Sequence, residues 1–494
     1  MSDRVTRSGA SAGDPCVLGL DVGTGGARVL VVDAAGRVRA AATRPLEGVE
    51  GPALPPGWSE QDPEAWWAAA RACLREAVAA AGPAGIRAVA ATSTSGTVVP
   101  VDGAGRPLRP AILYNDTRAV EEAARVQEAG AELADKLGYA FQASFALPRI
   151  LWVREHEPQV FERAACFLHA ADFLVARLTG EVGLSDFSNA LKTGYDLADL
   201  RWGEWIEERL GLPLARLPRV FLPGEPIAAI SAKAAEETGL PAGTPVAAGA
   251  TDGTAAFLAS GATAPGDWNA TLGTTLVVRG VSPRLVRDPA GRIYCHRHPE
   301  GAWLPGGASS TGGEWLDRRF AGTDWPALDR RALQISPTTS AVYPLVRRGE
   351  RLPFVNPDAE GFSELRAQPA PDLLYAAHLE GTACVERWIF EVMESLGMPV
   401  GECVYATGGG ARSREWLQIR ADVMGRALLR PAVVEAAFGA ALLAAARTLH
   451  GSLSEAVPAM VRADCRVEPR PGMRGRYEAL YAGFREACAR KGLG

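Results

Sequence analysis

Twice along the chain, runs of β-branched and other apolar residues flank a tight Gly-Thr bend: over 18–32 as LGLDVGTGGARVLVV and over 267–279 as DWNATLGTTLVVR. Each pattern predicts a β-hairpin. Residues 16–33 form the first hairpin, 38–45 add a third strand, and 86–93 (IRAVAATS) read as a buried strand. Apolar spacing predicts a helix over 63–81, with Pro63 suited to its first turn. Residues 98–116 read as two strands around DGAGRP, and 118–180 are helical in period. The polar stretch SDFSNALKTGYDL (185–197) reads as a functional loop rather than a core element.

Further along, VAAGATDGTAAFLASGA (246–262) predicts a small-residue strand that turns into a helix at Thr251-Asp252-Gly253. Residues 371–397 predict a long amphipathic helix, and 403–425 a strand, a Gly-rich bend and a helix. An Ala-rich helix over 434–449 and a terminal helix over 475–490 close the series. Alternating strands and helices predict an α/β fold. A break at 258–266 divides it into domains of 16–260 and 261–494, preceded by a disordered tail over 1–15. The hairpin that opens each half points to a duplication.

Composition narrows the class. The length of 494 residues accommodates roughly two to four domains. An apolar share of 47% with 22% charged residues is that of an ordinary globular protein. The net charge of −5 argues against nucleic acid or an anionic membrane as partner. No run of about 18 uncharged apolar residues predicts a membrane span. The eight cysteines form no CxxC pair and read as reduced thiols of a cytoplasmic protein.

The chemistry begins at the two bends. Small residues there leave backbone N–H groups open as nests for phosphate oxygens, and two nests fit a nucleoside triphosphate. Only the first has a carboxylate at its mouth, Asp21, where a metal ion could sit; an Asp in a hairpin turn is also common. Asp252 is explained by an N-cap, or else is a general base for a substrate hydroxyl. Gly408-Gly409-Gly410 is a simple bend, or a place where a flat ligand approaches the backbone. Ser413 and Trp416 could then meet an adenine or ribose, although a core aromatic explains Trp416 as well. Asn115 and Asp116, with Arg118, gather at a strand end, where they are either an ordinary turn or part of a ligand pocket. The CHRH run (295–298) offers two histidines without further metal ligands, and no Walker A or protein-kinase loop is present.

In this order the pieces resemble the FGGY family of carbohydrate kinases within the actin and hexokinase superfamily. The carrying stretches are GLDVGTGGAR, VDGAGRPLRPAILYNDTRA, GATDGTAAF, TLGTTLV, TGGGARSREWLQIRADV and EAAFGAALLA. The resemblance implies a two-lobed, ribonuclease H-like α/β fold with mixed sheets flanked by helices and a cleft between the lobes. It also implies ATP and Mg²⁺ as cofactors, a ketopentose as partner, and room for a homodimer. By position it makes Asp252 the base and gives Asp21 the Mg²⁺-side chemistry and the sugar-end contact. Thr24 would face the transferred phosphoryl group, with Gly23 and Gly25 in the same turn. Gly273, Thr274 and Thr275 would hold phosphates, and Gly409, Gly410, Ser413 and Trp416 would bound the adenosine pocket. Ser95, Asn115 and Asp116 would contact the ketose.

Within the family, GTGGAR, YND and SDFSNALKTGY are most similar to D-ribulose kinases of plants and cyanobacteria. Xylulokinases place a Met-His pair where Ser95-Gly96 stand here, whereas 57–67 and 475–490 look xylulokinase-like. Gly25 stands where a hydroxyl residue is usual. The expectation is an ATP-dependent D-ribulose kinase, with a D-xylulose or pentitol kinase as the alternative. An actin-like ATPase without a small acceptor and a catalytically silent sugar sensor are the readings from other classes.

Overall fold

A computed structural model describes residues 13–47 and 54–494, so most of the tail expected over 1–15 lies outside the described residues. The chain forms two compact units. The first runs to Ala259 and takes in Pro299–Gly301 and Glu435–Val461; the second holds Ser260–His298, Ala302–Val434 and Arg462–Gly494.

The first unit is built on a six-stranded sheet. Cys16–Gly23 pairs antiparallel with Gly26–Asp33 across the first Gly-Thr bend, and Gly26–Asp33 pairs antiparallel with Val38–Pro45. On its other side Cys16–Gly23 runs parallel to Ile86–Ser93, which in turn runs parallel to Pro245–Thr251. Pro226–Ala229 closes that edge. The helix Pro63–Ala81 starts where its sequence predicts: Asp62 caps it by accepting the Glu64 N–H, and Pro63 occupies the first turn. Its Trp66, Cys73, Leu74 and Ala77 belong to the same buried core as Leu18, Leu20, Val29 and Val31.

The second unit repeats the arrangement around its own hairpin. Trp268–Leu272 pairs antiparallel with Leu276–Gly280, which pairs with Trp303–Ser309. Trp268–Leu272 also runs parallel to Cys403–Thr407, and that strand to Ala427–Pro431. Five strands thus share one order and one set of directions in each unit, as a duplication requires. Tyr294–Arg297 and Ala463–Val467 extend the two edges. The helices Pro371–Ser395 and Arg414–Met424 pack against each other beside this sheet.

The structure departs from the sequence expectation in two places. The helix Ala436–Ala446, placed by chain order in the second half, folds with the first unit, where it packs on Cys16–Gly23, Ile86–Ser93 and Asp252–Ala259. Missing side chains permit that approach: a Cβ on Gly19 would lie 1.8 Å from the Ala437 carbonyl oxygen, and one on Gly439 1.8 Å from that of Ala255. The second departure is 185–197, which belongs to the core rather than to a loop. Asp186, Ser188, Asn189 and Thr193 are all buried, in a short strand (Leu184–Asp186), a one-turn helix (Phe187–Ala190) and a 3₁₀ turn. Much of their polarity is matched internally, although Asn189 Oδ1 is buried without a hydrogen-bond partner among the described residues. Asp186 accepts from the Asn189 backbone and side-chain N–H groups, and the His169 ring bonds Asp172 and Thr193.

Candidate active site

Three parallel strands of the first unit carry the candidate acceptor chemistry at their C-terminal ends. Asp21 lies two residues before the end of Cys16–Gly23 and pairs with Thr92 of the neighbouring strand. Asp252 follows directly on Pro245–Thr251 as the first residue of the helix Asp252–Ala259. The loop containing Thr94 and Ser95 leaves the middle strand, Ile86–Ser93, between them. Carboxyl ends of parallel strands are where open α/β sheets bind ligands.

Asp21 is held in an unusual state. Its Oδ1 is buried without a hydrogen-bond partner among the described residues. Burial, reinforced by the charge of Asp252 and opposed by Arg28, pushes its carboxyl up to about 7. A deprotonated Asp21 beside Asp252 therefore needs a cation or a hydrogen-bond donor. Asp252 accepts the Gly253 N–H at 2.6 Å and is only half-buried, so its carboxylate is accessible. Asp252 stands inside the helix as its first residue and its bond reaches the next residue's N–H, so it is not the N-cap expected from the sequence.

These observations fit a magnesium ion held partly by the protein. Among the described residues no cluster of three or more His, Cys, Asp or Glu could hold a metal. Mg²⁺ commonly takes one or two carboxylates and completes its octahedron with phosphate oxygens and water. Asp21, with its unsatisfied buried oxygen, is the group suited to that place.

Thr24 and Gly25 sit exposed at the tip of the first bend, and Gln61 Nε2 donates to the Thr24 carbonyl. Gly23 and Gly25 have open space where a Cβ would be, so the hydroxyl residue usual at Gly25 would fit sterically. Ser95 is half-buried and Asn115 exposed. The loops bearing them are tied together by Arg149, a fully buried residue that the sequence reading did not single out. Its guanidinium donates to the Gly96, Tyr114 and Asp116 carbonyls at 2.7–2.8 Å. Burial lowers its pKa to about 10.

Asp116 requires a correction. Its carboxylate is fully buried, bonded to Arg118 and to the Ser59 N–H, so it braces the loop rather than facing a sugar. Arg118 lies over the Trp58 ring, 3.7 Å from its centroid, which completes that brace.

In the second unit, Gly273, Thr274, Gly409, Gly410, Ser413 and Trp416 line one cavity of about 490 Å³. That volume suits a nucleoside-sized ligand. Gly273 donates its N–H to the Thr275 carbonyl, so the amides of Thr274 and Thr275 are this bend's candidates for phosphate oxygens. Ser413 caps the helix Arg414–Met424 by accepting the Trp416 N–H. Trp416 serves both readings: it is only 3% exposed, its indole N–H donates to the Leu379 carbonyl, and it lines the cavity.

Sequence reasoning missed the opposite wall. Trp325, Asp329 and Tyr375 line the same cavity. Tyr375 donates to Asp329 at 2.7 Å, and burial raises the Asp329 carboxyl. The signal was present in Asp324-Trp325-Pro326, an N-cap followed by Pro in the first turn of the helix Trp325–Ile335.

Comparison with known proteins agrees with this layout. Residues 16–259 match the N-terminal domain of the FGGY family of carbohydrate kinases, and residues 268–448 match its C-terminal domain. The chain is 31% identical over 418 residues to a xylulose kinase of Escherichia coli (strain K12), covering 83% of this chain and 85% of that one. It is 32% identical over 451 residues to a xylulose kinase of Streptomyces rubiginosus, covering 88% and 89%. The crystal structure of xylulose kinase from Rhodospirillum rubrum superposes with a TM-score of 0.84 at 30% identity, covering 96% of this chain and 98% of that one.

Proposed function

We propose that this chain, which belongs to the FGGY family of carbohydrate kinases, transfers the γ-phosphoryl group of ATP to the terminal hydroxyl of D-xylulose. The observation that carries the chemistry is the pairing of Asp252 with Asp21, whose buried oxygen lacks a partner. The sugar rests on the xylulose kinases of Escherichia coli, Streptomyces rubiginosus and Rhodospirillum rubrum, which resemble this chain over most of their lengths. That likeness puts D-xylulose ahead of the D-ribulose expected from the sequence motifs.

The second unit binds the nucleotide, with adenosine in the cavity walled by Gly409, Gly410, Ser413 and Trp416. The Gly273-Thr274-Thr275 bend turns its amides to the phosphates. Mg²⁺, held by Asp21, would screen charge on the phosphate oxygens. Asp252 takes the proton of the sugar hydroxyl as its oxygen bonds to phosphorus, and an ordinary carboxylate suffices because that proton becomes acidic late. Ser95 and Asn115, on loops fixed by Arg149, orient the ketose. The free thiols of all eight cysteines suit a cytoplasmic setting.

D-Ribulose stays as the second reading on one observation. Gly96 has a φ of +83°, and a Cβ there would lie 2.8 Å from the Ser144 carbonyl oxygen. The histidine of the xylulokinase Met-His pair therefore has no room at this position. A coupled ADP-release assay over D-xylulose, D-ribulose, L-ribulose, xylitol and ribitol, with an ATP-only control, tests the proposal. The highest kcat/KM is expected with D-xylulose. A clear preference for another acceptor overturns the sugar, and ADP release indifferent to every acceptor overturns the kinase reading in favour of an ATPase.

A further inference from the structure

The motif SDFSNALKTGY has no part in the chemistry above, yet it is buried against the strand-to-helix junction that presents Asp252. Ser188 Oγ accepts the Thr251 N–H at 3.2 Å and donates to Thr254 Oγ1 at 3.1 Å. Thr251 Oγ1 lies 3.0 Å from both Ser188 Oγ and Thr254 Oγ1. Three hydroxyls and one amide form a closed cluster around the residue before Asp252, and all three side chains are almost fully buried. A helix start needs only a local acceptor for its first N–H groups. Here the last strand residue, Thr251, also has its N–H accepted by a segment 63 residues earlier in the chain, so tertiary structure helps to set the direction of the junction. That segment is itself fixed, since Asp186 caps the one-turn helix Phe187–Ala190 at the Asn189 N–H, 2.9 Å away.

We infer that Ser188, acting with Thr254 through the Thr251 backbone, is a positioning residue that aims Asp252 at the acceptor hydroxyl. The inference rests on the proposed role of Asp252 as base. Proton transfer is sensitive to displacements of an ångström, whereas substrate binding is shared among many contacts. Loss of this cluster therefore lowers kcat more than it raises either KM.

The test compares Ser188→Ala, Thr254→Val, Thr254→Ser and Asp252→Asn in the full chain. It measures kcat, both KM values with ATP and the best acceptor of the panel, and thermal unfolding. Ser188→Ala and Thr254→Val are expected to lower kcat about tenfold or more, with each KM within about threefold. Thr254→Ser, which keeps the hydroxyl, is expected to stay within about threefold of the parent kcat. Parent-level kcat in Ser188→Ala and Thr254→Val, with Asp252→Asn inactive, overturns this inference alone. Thr254→Ser falling as far as Thr254→Val also overturns it, because volume rather than the hydroxyl would then matter. If Ser188→Ala does not fold, the Thr254 pair decides. An active Asp252→Asn removes the base reading, and this inference with it.

Discussion

Asp252 lies close enough to Asp21 for its charge to add to burial in raising the Asp21 carboxyl to about 7. Their strands flank Ile86–Ser93, one on each side, and all three run parallel. Unfolded, the Asp21 carboxyl titrates near about 4. The folded state therefore binds this proton more tightly than the unfolded state does. Its contribution to stability is fully present below about pH 4 and is lost as pH rises towards about 7. Asp186, also raised to about 7 by burial, acts in the same sense. Asp21→Asn should consequently stabilise the ligand-free protein at pH 8, by about 2 kcal/mol after allowance for solvent screening, and have little effect near pH 4. Urea unfolding of both proteins across this range isolates the Asp21 share. A difference that does not grow with pH would contradict the assigned environment.

Replacing the base gives a separate expectation. Asp252→Asn keeps an oxygen for the Gly253 N–H, so the helix start survives while proton acceptance is lost. Turnover should fall about 10²-fold or more, with the unfolding midpoint little changed. Steady-state kinetics with saturating sugar and ATP measure it. Near-parent turnover in a folded variant would remove Asp252 from its role.

What the sequence disclosed was local. Each hairpin and the helix Pro63–Ala81 depend on neighbours within a few residues, so their signals are complete in the chain. The destination of Ala436–Ala446 was not local. A helix of Ala, Gly, Phe and Leu is apolar all round, and nothing in its period names the sheet that it covers. Polarity also misled at 185–197, because buried polar groups that bond one another look like a loop in sequence. Asp116 is the same case in a single residue, since its partner Arg118 is near in sequence but the Ser59 N–H is not. In the nucleotide cavity, glycines and caps were readable, whereas Trp325, Asp329 and Tyr375 reach it only through packing of two helices.

The close approach of Ala436–Ala446 is testable through Gly439. An added methyl would meet the Ala255 carbonyl at 1.8 Å, and backbone on both sides must move to admit it. Gly439→Ala should destabilise the protein by about 3 kcal/mol or more, despite the better helix propensity of Ala. Gly25→Ser, at an exposed position with open space, should leave stability within about 0.5 kcal/mol. Denaturant midpoints for the two variants check the contrast, and equal midpoints would refute it.

Gly409 separates binding from folding on the nucleotide side. A Cβ there meets no atom within 4 Å, and its backbone is outside the left-handed region, so the fold itself does not require glycine. The residue nevertheless lines the cavity assigned to adenosine, together with Trp416 and Ser413. An isopropyl group at this position would occupy space that the ligand needs. Gly409→Val should therefore raise the KM for ATP about tenfold or more while leaving the unfolding midpoint and the KM for the sugar unchanged. If the KM for ATP also stays at the parent value, the nucleoside is not held against this bend, and the cavity loses its assignment.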